Sequence, residues 1–185
     1  VYVQCRRQIE QGISSLLRFL DQTSAPPSMD RPAMRTLQLA IGSDHGGFEL
    51  KRALHAYLLE LGYAPIDCGT FSTDSVDYPD FAFAVAKLVS IGDVDRGIMI
   101  DAVGVASAIV ANKLSGIRAA ACQSEFAATS SREHNDANVL TLGGRITGSE
   151  LAKNIVKIWL NTEFSGGRDQ KRVDKISDID SKYRK

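Results

Sequence analysis

From Leu37 onward, segments typical of β-strands alternate five times with segments typical of α-helices. The strand segments are short apolar runs such as G-I-M-I at 97–100, and the apolar residues of the helical segments recur every three or four positions. Because the connections between them are short, this alternation predicts a parallel sheet with helices on both faces and right-handed crossovers. The sequence therefore predicts an α/β, three-layer fold around a five-stranded parallel sheet, over residues 37–185.

The spacing of apolar residues sets the predicted boundaries of these elements. Strands are predicted over 37–42, 64–69, 96–100, 117–123 and 139–144. Helices are predicted over 48–62, 79–91, 105–114, 124–134 and 151–160, with a further helix in the tail from Arg168.

Residues 1–36 differ in composition from the rest of the chain. Within residues 1–20, Ile9, Ile13 and Leu16 share one helical face with Leu17 and Leu20, which predicts an amphipathic helical extension. Residues 21–36 contain three prolines and predict an extended linker. The helix either packs on its own domain or dimer partner, or docks on a shell or other partner protein. In the second case it resembles the peptides that recruit enzymes into bacterial microcompartments.

Charge and cysteine content exclude several classes of function. The 22 lysines and arginines balance the 22 aspartates and glutamates, which argues against a nucleic-acid or anionic-membrane partner. No apolar run approaches the roughly 20 residues that span a bilayer. The three cysteines are far apart, so they predict neither a disulfide framework nor a zinc site. Because a reducing compartment fits unpaired cysteines best, we expect a cytoplasmic protein.

Several chemically capable side chains fall next to the predicted strands. Ligands of open parallel sheets bind beyond the carboxyl ends of the strands, so these connections are the first place to look for a site. The candidates are Asp44 and His45 after the first strand, Asp101 and Gly104 after the third, His134 and Asn135 before the fifth, and Arg145, Arg168 and Arg172 after it. Arginine forks match phosphate oxygens in shape and charge. We expect these residues to gather at one rim and to bind a small phosphorylated ligand, either as an enzyme or as a non-catalytic binding module.

Five motifs carry a resemblance to a known family. They are GSDHGGFELK at 42–51, VDYPDFA at 76–82, GIRAA at 116–120, SREHNDANVLTLGGR at 131–145 and WLNTEFSGGR at 159–168. In order and spacing they resemble ribose-5-phosphate isomerase B and its galactose-6-phosphate isomerase relatives, from about Leu37 to Ile179. The resemblance implies a Rossmann-like domain, a homodimer or dimer of dimers, and active sites between subunits. It also implies aldose–ketose isomerisation of a sugar phosphate through an enediolate, without a cofactor.

The resemblance also implies a role for each candidate. Asp44 matches an aspartate that contacts the sugar near its ring oxygen, and His45 matches a substrate and phosphate contact. His134 matches the histidine that helps to open the furanose ring, and Asn135 matches the group that holds the developing oxyanion. The three phosphate contacts are Arg145, Arg168 and Arg172.

The loop after the third strand departs from the family pattern Cys-Gly-Thr-Gly-x-Gly, because residues 101–106 are D-A-V-G-V-A. Asp101 stands where the family has its cysteine base, and Gly104 is the one glycine retained as a backbone contact to the substrate. Three roles for Asp101 stay open: a cap of the following helix, the catalytic base, or another ligand contact. If Ala102 required a positive φ, its strain would cost about 1 kcal/mol or more.

Two functions follow from this departure. The first is a sugar-phosphate isomerase with Asp101 in the base position, and the second is a weakly active or inactive relative that binds a sugar phosphate for regulation or assembly. A further departure is Asp169, where relatives often carry a histidine. We expect this carboxylate to pair with Arg172 or Lys171, since it would otherwise repel phosphate.

Overall fold

The computed structural model describes residues 37–183, so the helix predicted for residues 1–20 and the linker predicted for 21–36 lie outside the described residues. The strands are β1 (Leu39–Ser43), β2 (Ile66–Asp67), β3 (Arg96–Asp101), β4 (Ala119–Ala121) and β5 (Val139–Gly143). The helices are α1 (Phe48–Glu60), α2 (Tyr78–Ser90), α3 (Val105–Ala111), α4 (Glu125–Glu133), α5 (Ser149–Asn161) and α6 (Gln170–Tyr183). None of these helices is long and apolar enough to cross a membrane.

The five strands form one parallel sheet in the order β2-β1-β3-β5-β4. This confirms the predicted α/β fold and its five-stranded parallel sheet. The strand order reverses between β1 and β3, because the chain leaves β2 at one edge and returns on the other side of β1. Ser43 pairs with Ile100 and Asp101 pairs with Gly143, so β1, β3 and β5 end at the same level.

The helices cover the sheet in two layers. On one face, α1, α4 and α5 bury apolar side chains such as Leu54, Ala128 and Trp159 against the strands. Fully burying a large apolar side chain of this kind contributes about 1.5–3 kcal/mol. On the other face, α2 packs so closely that a Cβ atom at Gly97 would lie 2.6 Å from Val85 Cγ1. The missing side chain at position 97 is therefore what lets α2 approach the sheet.

The parallel sheet gives the domain two distinct edges. At the carboxyl edge β1, β3 and β5 end, and at the amino edge the strands begin. Because α4 and α5 each run back from the carboxyl edge to the amino edge, the segments that follow these two helices lie together at the amino edge. The amide of Ser165, after α5, donates to the carbonyl oxygen of Glu133 at the end of α4 over 3.0 Å, in agreement with this arrangement.

Candidate functional site

Three loops meet at the carboxyl edge and form the first half of the candidate site. We call Asp44, His45, Asp101, Gly104 and Arg145 the carboxyl-edge cluster. The Asp44 amide donates to the Ile100 carbonyl oxygen over 3.1 Å, which ties the first loop to β3. The Gly144 amide donates to Asp101 O over 2.7 Å and the Arg145 amide to Ala102 O over 3.0 Å. These main-chain bonds fix the three loops relative to one another.

Glycines make this close approach of backbones possible. A Cβ atom at Gly144 would lie 2.6 Å from the Gly46 carbonyl oxygen, and one at Gly47 would collide with the carbonyl of Ile100. Gly104 has a φ of 80° and precedes α3 directly. A side chain at any of these positions would push the loops apart.

Asp44 lies at the end of β1 with 6% of its surface exposed. Its Oδ1 accepts a hydrogen bond from the Gly47 amide over 3.0 Å, just before α1 begins. Burial raises the pKa of Asp44 above its ordinary value, the nearby Asp101 carboxylate adds to the rise, and the Gly47 amide and His45 oppose it. Asp44 is therefore a carboxyl group that holds its proton more readily than a solvated aspartate.

Asp101 is buried, but its surroundings have the opposite effect. One carboxylate oxygen accepts hydrogen bonds from the amides of Val103 and Gly104, and the other accepts from the Ser107 amide over 2.8 Å. Burial raises the pKa of Asp101, but the hydrogen bonds from Ser107, Gly104 and Val103 outweigh it and hold the pKa below its usual value. Asp101 thus caps α3 with an ionised carboxylate, which is one of the three roles that the sequence left open.

The loop after β3 carries no strained alanine. Within residues 37–183, the only non-glycine residue with a positive φ is Asp136, so Ala102 avoids the left-handed region. The one left-handed residue in this loop is Gly104, the glycine that the sequence retains. Replacing glycine by alanine at position 102 therefore does not impose the strain that a positive φ would have caused.

His45 and Arg145 complete the carboxyl-edge cluster. The Nδ1 atom of His45 lies 3.2 Å from both the amide nitrogen and the carbonyl oxygen of Val76, so it accepts from the amide or donates to the carbonyl according to the tautomer. This contact ties the loop after β1 to the segment that leads into α2. Arg145 follows β5 with an exposed side chain, so its guanidinium is accessible to an anion at this edge.

The two described cysteines do not supply a thiolate to replace the family's cysteine base. Burial, followed by the nearby Asp67 carboxylate, raises the pKa of Cys68 to about 12. Burial also raises the pKa of Cys122. Both groups are therefore neutral thiols near pH 7, and a neutral thiol is a poor proton acceptor.

The second half of the candidate site lies at the amino edge. We call His134, Asn135, Arg168, Asp169 and Arg172 the amino-edge cluster. The His134 Nδ1 atom lies 3.1 Å from Asp169 Oδ2, and an Arg172 guanidinium N–H donates to Asp169 Oδ1 over 2.6 Å. The predicted pairing of Asp169 with Arg172 is confirmed, whereas its contact with His134 was not predicted. Hydrogen bonding from His134 first, and then from Arg172, lowers the pKa of Asp169.

Two arginines that sequence reasoning missed hold the His134–Asn135 segment in place. Arg118, just before β4, donates to the carbonyl oxygens of Asn135 and Asp136 and pairs with the Asp136 carboxylate at 2.6 Å. Arg132 pairs with the other Asp136 oxygen at 2.8 Å. Asp136 has a φ of 48°, and this network, together with the hydrogen bond from its amide to the Arg132 carbonyl oxygen, holds it in place. The one available signal was an aspartate in H-N-D-A-N, a residue type that tolerates left-handed backbone.

The expectation that all candidate residues gather at one rim of a single chain is wrong. His134 and Asn135 follow α4 and precede β5, and Arg168 and Arg172 follow α5, so all four lie at the amino edge. The other candidates lie at the carboxyl edge. A five-residue strand separates the two edges by about 17 Å of packed sheet. A small ligand bound at one edge of a chain therefore cannot contact both clusters of that chain.

Within residues 37–183, no three histidine, cysteine, aspartate or glutamate side chains converge in a way that could hold a metal ion. The two clusters offer carboxylates, imidazoles, arginines and backbone amides.

Comparison with known proteins identifies the lineage of this domain. Residues 39–176 match the family model described as Ribose/Galactose Isomerase. Ribose-5-phosphate isomerase B of Escherichia coli is 48% identical over 145 residues, which cover 78% of this chain and 97% of that protein. D-erythrulose-4-phosphate isomerase of Pectobacterium atrosepticum is 40% identical and covers 76% of this chain and 93% of that protein.

Solved structures agree with the sequence comparison. The structure of Clostridium thermocellum ribose-5-phosphate isomerase B superposes with a TM-score of 0.79 at 51% sequence identity. The match covers 80% of this chain and all of that one. The chain therefore belongs to the ribose/galactose isomerase family of sugar-phosphate isomerases.

Proposed function

We propose that this protein interconverts the aldose and ketose forms of a phosphorylated sugar, ribose 5-phosphate or a related tetrose or hexose phosphate. In this reaction a base removes the proton from C2 of the open-chain aldose, and the C1 carbonyl takes the electron pair as an enediolate. The proton returns to C1, the proton of the C2 hydroxyl passes to the oxygen on C1, and the oxygen on C2 becomes the ketone. No oxidant or reductant is consumed. Relatives at 48% and 40% identity that act on ribose 5-phosphate and erythrulose 4-phosphate support this class of substrate.

The observation that carries the proposal is the division of the candidate residues between two edges of one sheet. The carboxyl-edge cluster offers carboxylates and the Gly104 backbone, whereas the amino-edge cluster offers His134, Asn135 and exposed arginines. A sugar phosphate would meet both sets if the carboxyl edge of one chain faced the amino edge of a second. A two-fold axis generates two such sites per dimer. The proposed active form is therefore a homodimer, alone or within a dimer of dimers.

Exposed apolar side chains around the carboxyl edge support this assembly. Val103 and Val105 lie on either side of Gly104, Ile109 lies one turn further along α3, and Ile146 follows Arg145. Each exposes more than two fifths of its surface in the single chain. Apolar groups clustered beside a site are typical of a surface that a partner covers.

At neutral pH the two buried carboxylates suit different tasks in this reaction. Asp101 stands in the position of the family's cysteine base, but its oxygens already accept hydrogen bonds from three amides of its own loop. The pKa of Asp44 lies above its ordinary value, so Asp44 is the better suited of the two to exchange a proton. We infer that Asp101 chiefly organises the loop and that Asp44 is the carboxylate that exchanges protons with the sugar.

The hydrogen bonding of Asp101 also favours a second candidate function, which is binding of a sugar phosphate with slow turnover or none. An ionised carboxylate beside the enediolate repels the charge that develops in the transition state. It also occupies amides that could otherwise donate to the oxyanion, and losing one such donor costs on the order of 10²–10³ in rate. The second candidate therefore predicts normal ligand affinity with a very small kcat.

A direct assay separates the two functions. The purified dimer is given ribose 5-phosphate, allose 6-phosphate, galactose 6-phosphate and erythrulose 4-phosphate, and the appearance of the isomer is followed while calorimetry measures binding. If the wild-type protein turns over one of these substrates and Asp44→Asn does so more slowly, the isomerase is supported. Binding without turnover supports the second function. Absence of binding to every sugar phosphate would contradict both.

Asp101→Asn and Asp101→Cys extend this assay to the altered loop. If Asp101 is the base, Asp101→Asn loses turnover by a factor of about 10² or more. If Asp101 is only a cap, Asp101→Asn retains much of the wild-type rate. Asp101→Cys is expected to raise kcat in either case, because a thiolate is the stronger base and leaves the loop amides free.

A further inference from the structure

The contact between His134 and Asp169 has the geometry of a histidine–carboxylate pair. Oδ2 of Asp169 lies 3.1 Å from His134 Nδ1, which is within hydrogen-bond distance. Asp169 exposes 4% of its surface, whereas the His134 side chain is 45% exposed. The carboxylate is thus fixed inside the domain while the imidazole reaches the surface, where a ligand would arrive.

Several contacts hold the Asp169 carboxylate in place. Its second oxygen accepts a hydrogen bond from Arg172 over 2.6 Å, and the Arg168 guanidinium lies 3.8 Å away. Its amide donates to the Gly166 carbonyl, and its own carbonyl accepts from the Val173 amide in the first turn of α6. The carboxylate is therefore ionised, held by the backbone on both sides, and aimed at one nitrogen of one imidazole.

We infer that Asp169 is a positioning residue that holds His134 in the tautomer protonated at Nδ1 and leaves Nε2 as the proton-exchanging atom. An ionised carboxylate only accepts hydrogen bonds, so the hydrogen in this contact must lie on Nδ1. The neutral ring then carries its lone pair on Nε2. The nearest carboxylate to Nε2 is that of Glu133 at 4.0 Å, which is too long for a hydrogen bond.

The catalytic effect of this contact rests on the proposed function, whereas the contact itself and the tautomer of His134 do not. The altered loop has lost the family's thiol, so His134 is the side chain best placed to move protons to and from sugar oxygens at the amino edge. A histidine oriented by a buried carboxylate takes up a proton at one nitrogen without rotating its ring. The carboxylates of Asp169 and Glu133 also stabilise the charged ring that forms, while Arg168 and Arg172 oppose it.

The tautomer is measured directly by nitrogen NMR of the intact dimer. The chain has three histidines, so protein labelled with ¹⁵N-histidine gives few signals, and His134→Gln identifies those of His134. Spectra are taken at about pH 8, above the usual pKa of imidazole. We expect His134 to show a protonated Nδ1 and an unprotonated Nε2. The Nε2–H tautomer in the wild-type spectrum would overturn the inference, whether or not the protein turns over any sugar.

Asp169→Asn tests the same contact from the other side. The asparagine amide can donate to Nδ1, which selects the opposite tautomer, so the ring signals are expected to exchange their pattern. In the isomerase assay kcat is expected to fall on the order of 10²-fold with little change in KM. The matched control is Asp178→Asn, which removes the same charge from an exposed position of α6 and should leave kcat and KM unchanged.

The alternative is that Asp169 acts only by weakening the field of Arg172 at the phosphate. Asp169→Asn would then lower KM, leave kcat unchanged and leave the tautomer as it was, and this result would overturn the inference. Failure of the proposed function is a separate outcome. If the wild-type protein isomerises nothing, the NMR spectra alone decide whether Asp169 sets the tautomer.

Discussion

Two buried aspartates at the carboxyl edge show how strongly local hydrogen bonding decides the behaviour of a side chain. Asp44 accepts a hydrogen bond from the Gly47 amide, and burial leaves its pKa above the ordinary value. Asp101 accepts three, and they bring its pKa below the ordinary value despite similar burial. The two groups therefore affect the stability of the fold in opposite directions as the pH changes.

Asp101→Asn is expected to destabilise the domain by about 1–3 kcal/mol at pH 7, because an amide nitrogen would face backbone N–H donors. The folded pKa of Asp101 lies below the unfolded value of about 3.9, so its contribution is fully present above that value. The contribution is lost as the pH falls through the folded pKa. Urea unfolding at fixed protomer concentration should show that the difference in the free energy of unfolding between wild type and Asp101→Asn becomes smaller below about pH 4.

The control for this measurement is Asp93→Asn, which changes an exposed aspartate after α2. Its free energy of unfolding should stay within about 0.5 kcal/mol of wild type. A variant at position 101 that is as stable as wild type at pH 7 would show that Asp101 does not cap α3.

Asp44→Asn is expected to have the opposite effect and to stabilise the domain by about 0.5–2 kcal/mol at pH 7. The folded pKa of Asp44 is raised, so its contribution to stability is present below the unfolded pKa and is lost as the pH rises through the folded pKa. Asparagine keeps the oxygen that accepts from Gly47 and removes the buried charge. Thermal or urea unfolding measures this increase in the free energy of unfolding. A variant less stable than wild type at pH 7 would contradict the prediction.

At the level of single residues, the sequence supported part of this description. A capping role for Asp101 and the pairing of Asp169 with Arg172 followed from position and charge. The contact of Asp169 with His134 did not, because the two residues are 35 positions apart and meet only where α4 and α5 both end. The local pattern of apolar and polar residues carries no information about a contact between residues so far apart in the sequence.

Among the elements, the helices and strands follow the apolar pattern closely, and the largest differences are at the two edge strands, β2 and β4, each four residues shorter than predicted. The strand predicted over 64–69 is Ile66–Asp67 in the structure. Pro65 has no N–H to donate to a neighbouring strand, and β2 is an edge strand paired only with β1. The position of each connection, by contrast, depends on the direction of every helix, which is why His134 was expected at the wrong edge.

The start of α3 gives a test at this scale. Gly104→Ala would place a Cβ atom 2.9 Å from the Leu142 carbonyl carbon, in a residue whose φ is 80°. Left-handed strain of about 1–2 kcal/mol and overpacking of about 1–3 kcal/mol should add to a loss of about 2–5 kcal/mol in the free energy of unfolding.

Gly92→Ala separates these two causes. Gly92 also has a φ of 80°, but a Cβ atom there meets nothing within 4 Å. Urea unfolding should therefore show only the strain, about 1–2 kcal/mol. Equal losses in the two variants would mean that the loops after β3 and β5 are not closely packed.

For the whole molecule, the decisive feature is that one chain carries the candidate residues in two separate clusters at opposite edges of its sheet. The carboxyl-edge cluster has carboxylates but a single candidate arginine, Arg145. The amino-edge cluster has Arg168, Arg172 and an oriented imidazole. The sequence offered all of these residues as candidates, but a linear pattern cannot tell which chain of an assembly supplies each one.

Mixing two inactive variants tests whether the halves join between chains. In a heterodimer of Asp44→Asn with His134→Gln, one site combines the intact carboxyl edge of the second chain with the intact amino edge of the first. The other site carries both substitutions. Co-expressed chains with different tags, purified as the heterodimer, should therefore recover about half of the wild-type activity per dimer, since one of two symmetric sites is restored. If turnover is slow, calorimetry with ribose 5-phosphate should count one site per heterodimer. A heterodimer as inactive as its parents would contradict a site shared between two chains.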